Sequence, residues 1–237
     1  MTLKPLGLKV ASRRVLSDVV TDDLREAIVT HELEPGRRIA EDELALQMGV
    51  SRGPIREALM RLEREGLVTT ERHKGARVAS WDHEDILEIY SMRSVLEELA
   101  IEWACKNATA EDIAAMEDVL HHYAKLTEKQ RTPSVVSSID LEFHTALFAA
   151  AHHDRLLQAW SVLRSQILAF LVYTWSKDKN INKTFLPSWA PDHAAIVEVI
   201  RNKQTKKAKD MLSAHIERGF QRVAVHFTEQ PIPTQKD

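Results

Sequence analysis

Six of the seven glycines (Gly7, Gly36, Gly49, Gly53, Gly66, Gly75) fall within the first 80 residues, whereas all five tryptophans (Trp81, Trp103, Trp160, Trp175, Trp189) come after them. Glycine serves turns and helix stops, and tryptophan fills large cores. The segregation divides the 237 residues into a turn-rich module over 1–80 and a larger unit over 81–230, with 231–237 as a tail; a chain of this length can bury two ordinary cores. Hydrophobic residues at 44% and charged residues at 28% are the balance of a folded soluble protein. The opening MTLKPLGLKVASRR lacks the apolar stretch of a signal peptide, and no run approaches the roughly 18 apolar residues of a membrane span, so the chain is expected in the cytoplasm and off the membrane. Cys105 is the only cysteine, which excludes an intrachain disulfide, a cysteine zinc cluster and a CxxC pair. Any metal must be held by histidine and carboxylate.

A net charge of −3 gives no global basic footprint. The first 80 residues nevertheless carry 14 Lys and Arg against 13 Asp and Glu, and 11 of those 14 are arginine, the side chain suited to bidentate contacts with bases and phosphates. Leu16, Val20, Leu24, Ala27 and Ile28 mark a first amphipathic helix that ends near His31, before the turn Glu34-Pro35-Gly36. A short helix over Glu41–Met48 stops at Gly49, and Ser51 opens a third helix, to Glu65, with Ile55, Ala58, Leu59 and Leu62 on its apolar face. Leu67–Glu71 and Ala76–Ala79 read as strands around the basic tip Arg72-His73-Lys74-Gly75. This is the layout of a winged helix-turn-helix. Arg52 and Arg56 stand one turn apart, opposite the apolar face, where both can enter a major groove. Gly53 lets the backbone approach DNA, and Arg37, Arg38, His73 and Lys74 can meet phosphates or the minor groove. The DNA-facing set is Arg37, Arg38, Ser51, Arg52, Gly53, Arg56, His73, Lys74 and Gly75. From spacing alone, a solvated charged face explains the arginines equally well.

After Trp81 the pattern is all helical: about His83–Asn107 with Ile86, Ile89, Tyr90, Leu96 and Leu99 inward, a second helix N-capped by Thr109, then 134–151, 155–176, 191–202 and 205–227. Pro133, Pro187 and Pro191 stand where helices begin or separate. Within IDLEFHTALF, Asp140 and His144 are spaced for one helix face; His193 and His215 occupy inner positions of two later helices, so the four can converge in a bundle core. Spacing leaves ordinary core histidines as the rival reading. His121-His122 and His152-His153 read as surface or helix-end residues, with Asp154 capping the next helix, and Cys105 as a small buried hydrophobe.

The string PGRRIAEDELALQMGVSRGPIREALMRLEREGLV, continued by HKGARV, resembles the DNA-binding domain of the GntR family of bacterial transcription regulators. It departs from the family at Asp42, often basic in relatives, and at Gly53, often Thr. Residues 83–226, through MRSVLEELA, DLEFHTALF, DHAAIVEVI and AHIERG, resemble the FCD effector-binding domain of the FadR subfamily, closest to its shorter VanR-like subgroup. The resemblance implies that Asp140, His144, His193 and His215 hold one divalent ion per chain, Zn foremost and Ni, Mn or Fe also suited. It also implies that Arg93 faces the pocket, where it can clamp a small carboxylate effector; a surface pair with Glu97 is the alternative for Arg93. The expectation is a homodimeric, ligand-responsive regulator on a palindromic double-stranded operator, not an enzyme. Its DNA-binding modules would respond through Val78–Trp81. A regulator that senses the ion itself and a metal-dependent hydrolase are the competing readings.

Overall fold

The amphipathic patterns of the first 80 residues fold as three short helices and a small sheet. The computed structural model describes residues 16–71, 75–177 and 186–227. Helices α1 (Leu16–Val29), α2 (Glu41–Gln47) and α3 (Arg52–Arg64) pack through Val20, Leu24, Ile28, Ile55, Ala58 and Leu62. Strands β1 (Arg38–Ile39), β2 (Val68–Glu71) and β3 (Gly75–Val78) form an antiparallel sheet with β3 in the middle. Val68 pairs with Val78, Glu71 with Gly75, and Ile39 with Ala76. The hairpin strands lie one residue from their expected bounds. Two-residue β1 was not expected, being too short to show a period of two. The wing tip with His73 and Lys74 lies outside the described residues.

The remainder is helical: α4 (His83–Asn107), α5 (Ala110–Lys125), α6 (Pro133–Ala150), α7 (Asp154–Lys177), α8 (Leu186–Arg201) and α9 (Thr205–Ala224), with a 3₁₀ turn at Glu128–Gln130. Capping sets the starts. Asp82 accepts from the Glu84 and Asp85 amides while Asp85 accepts from the Asp82 amide, and Thr109 and Asp112 repeat this exchange for α5. Thr132 caps α6, with Pro133 in its first turn. Helix α4 packs on α9 and α6, α6 on α5 and α7, and α8 between α5 and α9.

Four expectations are corrected. Pro191 lies inside α8 instead of opening a helix; the Leu186–Trp189 turn is held by core packing, since Leu186 and Trp189 are buried. The amide of Leu156 is met by His153, not Asp154, which is the first residue of α7. Leu99 is exposed, as are Leu87, Met92, Val95 and Trp103 along the same α4. Helix α7, finally, is long and apolar enough to cross a membrane by length and composition (mean hydropathy 1.3 over 18 residues). Its apolarity serves the bundle, where Trp160, Ile167 and Phe170 are fully buried.

The two units meet on α7. Ser165 donates to Glu65 (2.9 Å), which also receives both arms of Arg25 (2.8 and 2.7 Å). His31 donates through Nε2 to the Ala169 carbonyl (3.4 Å) and stands edge-on to Tyr173, while Trp81 meets Phe170 edge-on at 4.9 Å. Gly66 has φ +70°, and a Cβ there would collide with the Gln166 amide. Gly66→Ala is therefore expected to lower stability by about 1–2 kcal/mol, the strain of a left-handed alanine. An unchanged urea midpoint would show that the turn relaxes.

Candidate metal centre and nucleic-acid interface

Burial and helix register bring the four expected ligands together. Asp140 and His144 are one turn apart on α6, His193 is on α8 and His215 on α9, and one ligand atom from each lies within 4.8 Å of the others. All four are buried, at 0–9% exposure. His193 donates through Nδ1 to the Trp189 carbonyl (2.7 Å), and its buried Nε2 lies 3.4 Å from Asp140 Oδ1 with no hydrogen-bond partner. A cation placed between that nitrogen and the carboxylate would give both a partner. Trp189 Nε1 donates to the same carboxylate oxygen (2.7 Å) and orients it.

His144 is held from both sides. Its Nδ1 donates to Glu97 Oε2 (2.6 Å), and its Nε2 accepts from Arg93 Nη2 (2.9 Å). Arg93 Nε also donates to Glu97 Oε1 (2.6 Å). The tautomer that a metal requires is thus already set, with a guanidinium on the ligand nitrogen. Arg93 does pair with Glu97, but in the core: the two side chains are 3% and 0% exposed. Burial opposes both charges. Glu97, Tyr90 and Asp140 outweigh it for Arg93, and His144 and Arg93 outweigh it for Glu97, whose carboxyl falls below its usual range. Burial alone would raise the Asp140 carboxyl; the His193 contact and the neighbouring His144 and His215 instead hold it well below the carboxylate range. Burial, then His193 and His144, pushes the His215 imidazole well below 6.5, so it stands as a neutral nitrogen donor. One ionised carboxylate and three imidazoles, one with an unpartnered ring nitrogen, are a donor set that can hold a divalent ion.

The sequence reading gave Glu97 only as a surface partner of Arg93, and it missed Trp189 and Arg222. Trp189 precedes His193 by four residues and Arg222 follows His215 by seven, so helical register could have flagged both. A narrow cleft beside the ligands is lined by Arg93, Asp140 and His215 with Leu171, Trp175, Gly219 and Arg222.

On the other unit, Arg52 and Arg56 are exposed at the start of α3, beside exposed Ser51 and Gly53. Ser51 occupies the N-cap position without a side-chain cap hydrogen bond. Arg37, Arg38 and Gly75 are exposed on the sheet side. Arg52 pairs with Asp42 and Arg56 with Glu41 (2.6 Å), so acids of α2 hold both guanidinium groups. These pairs are open to solvent and yield easily to phosphate. A Cβ on Gly53 would meet only Ser51 Oγ, at 3.9 Å, so packing within the chain does not demand glycine there.

Comparisons with known proteins bear on both units. Residues 16–78 match the family of bacterial regulatory proteins named gntR, and residues 88–218 match the FCD domain. The Nta operon transcriptional regulator of Aminobacter aminovorans is 28% identical over 195 residues, covering 82% of this chain and 88% of its own. The Uxu operon transcriptional regulator of Escherichia coli (strain K12) is 28% identical over 222 residues, covering 84% and 83%. The solved structure of E. coli McbR/YncC superposes with a TM-score of 0.77 at 21% identity, covering 91% of this chain and all of that one, a likeness of fold. These relatives are transcriptional regulators rather than enzymes, which removes the hydrolase reading. The chain belongs to the gntR family of bacterial regulatory proteins, as a DNA-binding transcription regulator whose helix-turn-helix unit is followed by an FCD domain.

Proposed function

We propose that this regulator binds a palindromic operator as a cytoplasmic homodimer and that its DNA affinity is set by a small organic acid at a divalent metal held by Asp140, His144, His193 and His215. The observation that carries the reading is the buried, unpartnered His193 Nε2 facing the Asp140 carboxylate. When bound, the ion would supply a positive centre with coordination positions open to an anion. Arg93 supplies a guanidinium beside it, and Trp189 and Glu97 orient Asp140 and His144. Residues 1–80 serve as the DNA-binding unit and 81–230 as the sensor. Leu171 and Trp175 line the cleft, while Ser165, Gln166 and Ala169 of the same α7 touch the DNA-binding unit. A shift of α7 on ligand binding therefore reaches the recognition helix directly, beside the Val78–Trp81 connection. The test is calorimetry with an organic-acid panel on metal-loaded and metal-free protein: metal-dependent binding supports the reading, and equal binding to both forms rejects it.

Arg93 also favours a second reading, in which the ion is the signal. For His144 Nε2 to become a ligand, Arg93 must release it, so metal alone rearranges the core. Chelator alone would then change operator affinity with no organic acid present.

For DNA, Arg37, Arg38, Ser51, Arg52, Gly53, Arg56, His73, Lys74 and Gly75 form the proposed face. Arg52→Ala is expected to weaken specific operator binding by about 1–3 kcal/mol and to affect random DNA far less. Fluorescence anisotropy on both DNAs checks this; equal losses would refute base readout by Arg52. The exposed apolar side chains of α4 support dimerisation. Val95→Glu, placed among them, is expected to shift the sedimentation species toward monomer, and an unchanged dimer would put the interface elsewhere.

A further inference from the structure

The two arginines that open α3 meet acids of α2 in a repeated way. Arg52 makes its closest approach to Asp42 through Nε, and Arg56 donates through Nε to Glu41 Oε2 (2.6 Å). In both cases the inner guanidinium nitrogen is engaged, and no hydrogen bond from a terminal nitrogen of either arginine is found among the described residues. The turn at Gly49, with φ +65°, sets α2 against α3 so that two consecutive residues of α2 reach two residues one turn apart on α3. Acids in a first helical turn are favoured by the helix dipole, but Glu43 shares that turn and pairs with neither arginine among the described residues. The dipole alone therefore does not account for the pairing.

Which nitrogens are engaged decides what each arginine can read. The two terminal nitrogens of a guanidinium can donate together to O6 and N7 of guanine, the commonest base-specific contact that arginine makes. A carboxylate on Nε leaves that fork open and restricts its swing. A guanine edge can thus be read with the pair intact. A phosphate is different, because an arginine that swings to the DNA backbone leaves its carboxylate unpaired beside other anions, where like charges repel. The two acids therefore oppose random DNA more than the right sequence.

We infer that Asp42 and Glu41 are positioning residues for sequence reading: Asp42 holds Arg52, and Glu41 holds Arg56, for an end-on bidentate contact with one guanine each in an operator half-site, and both acids weaken binding to DNA that lacks those guanines. The inference rests on the proposed base readout at the start of α3. It adds the base that is read and the residues that preset its readers.

The experiment is selection of binding sites by the full chain from a duplex pool of randomised sequence, followed by fluorescence anisotropy on the selected duplex and on random duplex of equal length. Wild type is expected to select guanine at two positions of each half-site, one lost in Arg52→Ala and the other in Arg56→Ala. Asp42→Ala should flatten the Arg52 position and Glu41→Ala the Arg56 position, each lowering the ratio of selected to random affinity by about fivefold or more while random-duplex affinity rises. Glu43→Ala removes the same charge from the same turn and should leave both positions unchanged and the ratio within about twofold of wild type. Bases other than guanine at those positions, guanine preferences that survive both Asp42→Ala and Glu41→Ala, or a ratio lowered as much by Glu43→Ala overturn the inference and leave base readout standing. Base preferences unchanged in Arg52→Ala and Arg56→Ala overturn both. The two acids report independently, so a preference that survives the loss of one acid overturns that acid's assignment, and one folded variant is enough to decide its own arginine.

Discussion

Glu97→Ala is expected to destabilise the metal-free protein by about 3–5 kcal/mol, the usual consequence of removing one partner of a buried ion pair. Glu97 is fully buried and accepts from Arg93 Nε and from His144 Nδ1 at 2.6 Å each. Without it a guanidinium charge and an imidazole donor are stranded in the core, and the tautomer of His144 is no longer fixed. The measurement is urea unfolding of chelator-treated protein at one chain concentration, so that neither metal linkage nor dimerisation enters the difference. Arg93→Met combined with Glu97→Leu removes both charges together and is expected to lose much less than the single variant, since apolar replacements of a buried pair are often neutral or stabilising. A single-variant loss below about 1 kcal/mol would mean that water reaches Arg93 and screens it.

The second large effect concerns metal. Wild-type protein is expected to retain about one divalent ion per chain, and at a free-metal level near a thousandfold above Kd the ion adds about 4 kcal/mol to unfolding. His193→Ala should lose both. Because this variant also empties a buried site, the informative quantity is the shift in melting temperature between metal-loaded and chelated samples of the same variant, read beside elemental analysis. Wild type should show a large shift and His193→Ala almost none. Retention of the ion by His193→Ala, with its shift intact, would place the metal away from the Asp140 cluster.

The helices of both units were legible because their apolar spacing is regular and their stops are marked. Gly49 and Gly66 end two helices with positive φ, and Thr109 caps α5 as expected, with Asp112 completing the box. The shared face of Asp140 and His144 was legible from helical register, and the resemblance named His193 and His215 beside them; the structure brings the four side chains together. What escaped depends on which face another element covers. Arg93 and Glu97 form an i, i+4 pair that looks the same whether solvated or sealed, and it is sealed here because α6 and α9 both close against α4. Leu99 was expected inward because α4 carries apolar side chains on more than one face, so periodicity did not single out the buried one. Pro191 looked like a boundary because local rules put proline at helix starts; the tertiary packing of Trp189 overrides them.

The seam between the two units bears on how such proteins exchange parts. His31, Glu65 and Gly66 of the DNA-reading unit meet Tyr173, Ser165, Gln166 and Ala169 on successive turns of one helix. Gly66 fits closely against one particular amide. A DNA-reading module grafted onto a foreign sensor would carry that glycine to a host with no matching glutamine, and the graft would bind its operator yet stay deaf to the new ligand. Chimeras that keep their response are those in which both halves of the seam travel together, so compatible donors are found by comparing these few positions rather than overall likeness.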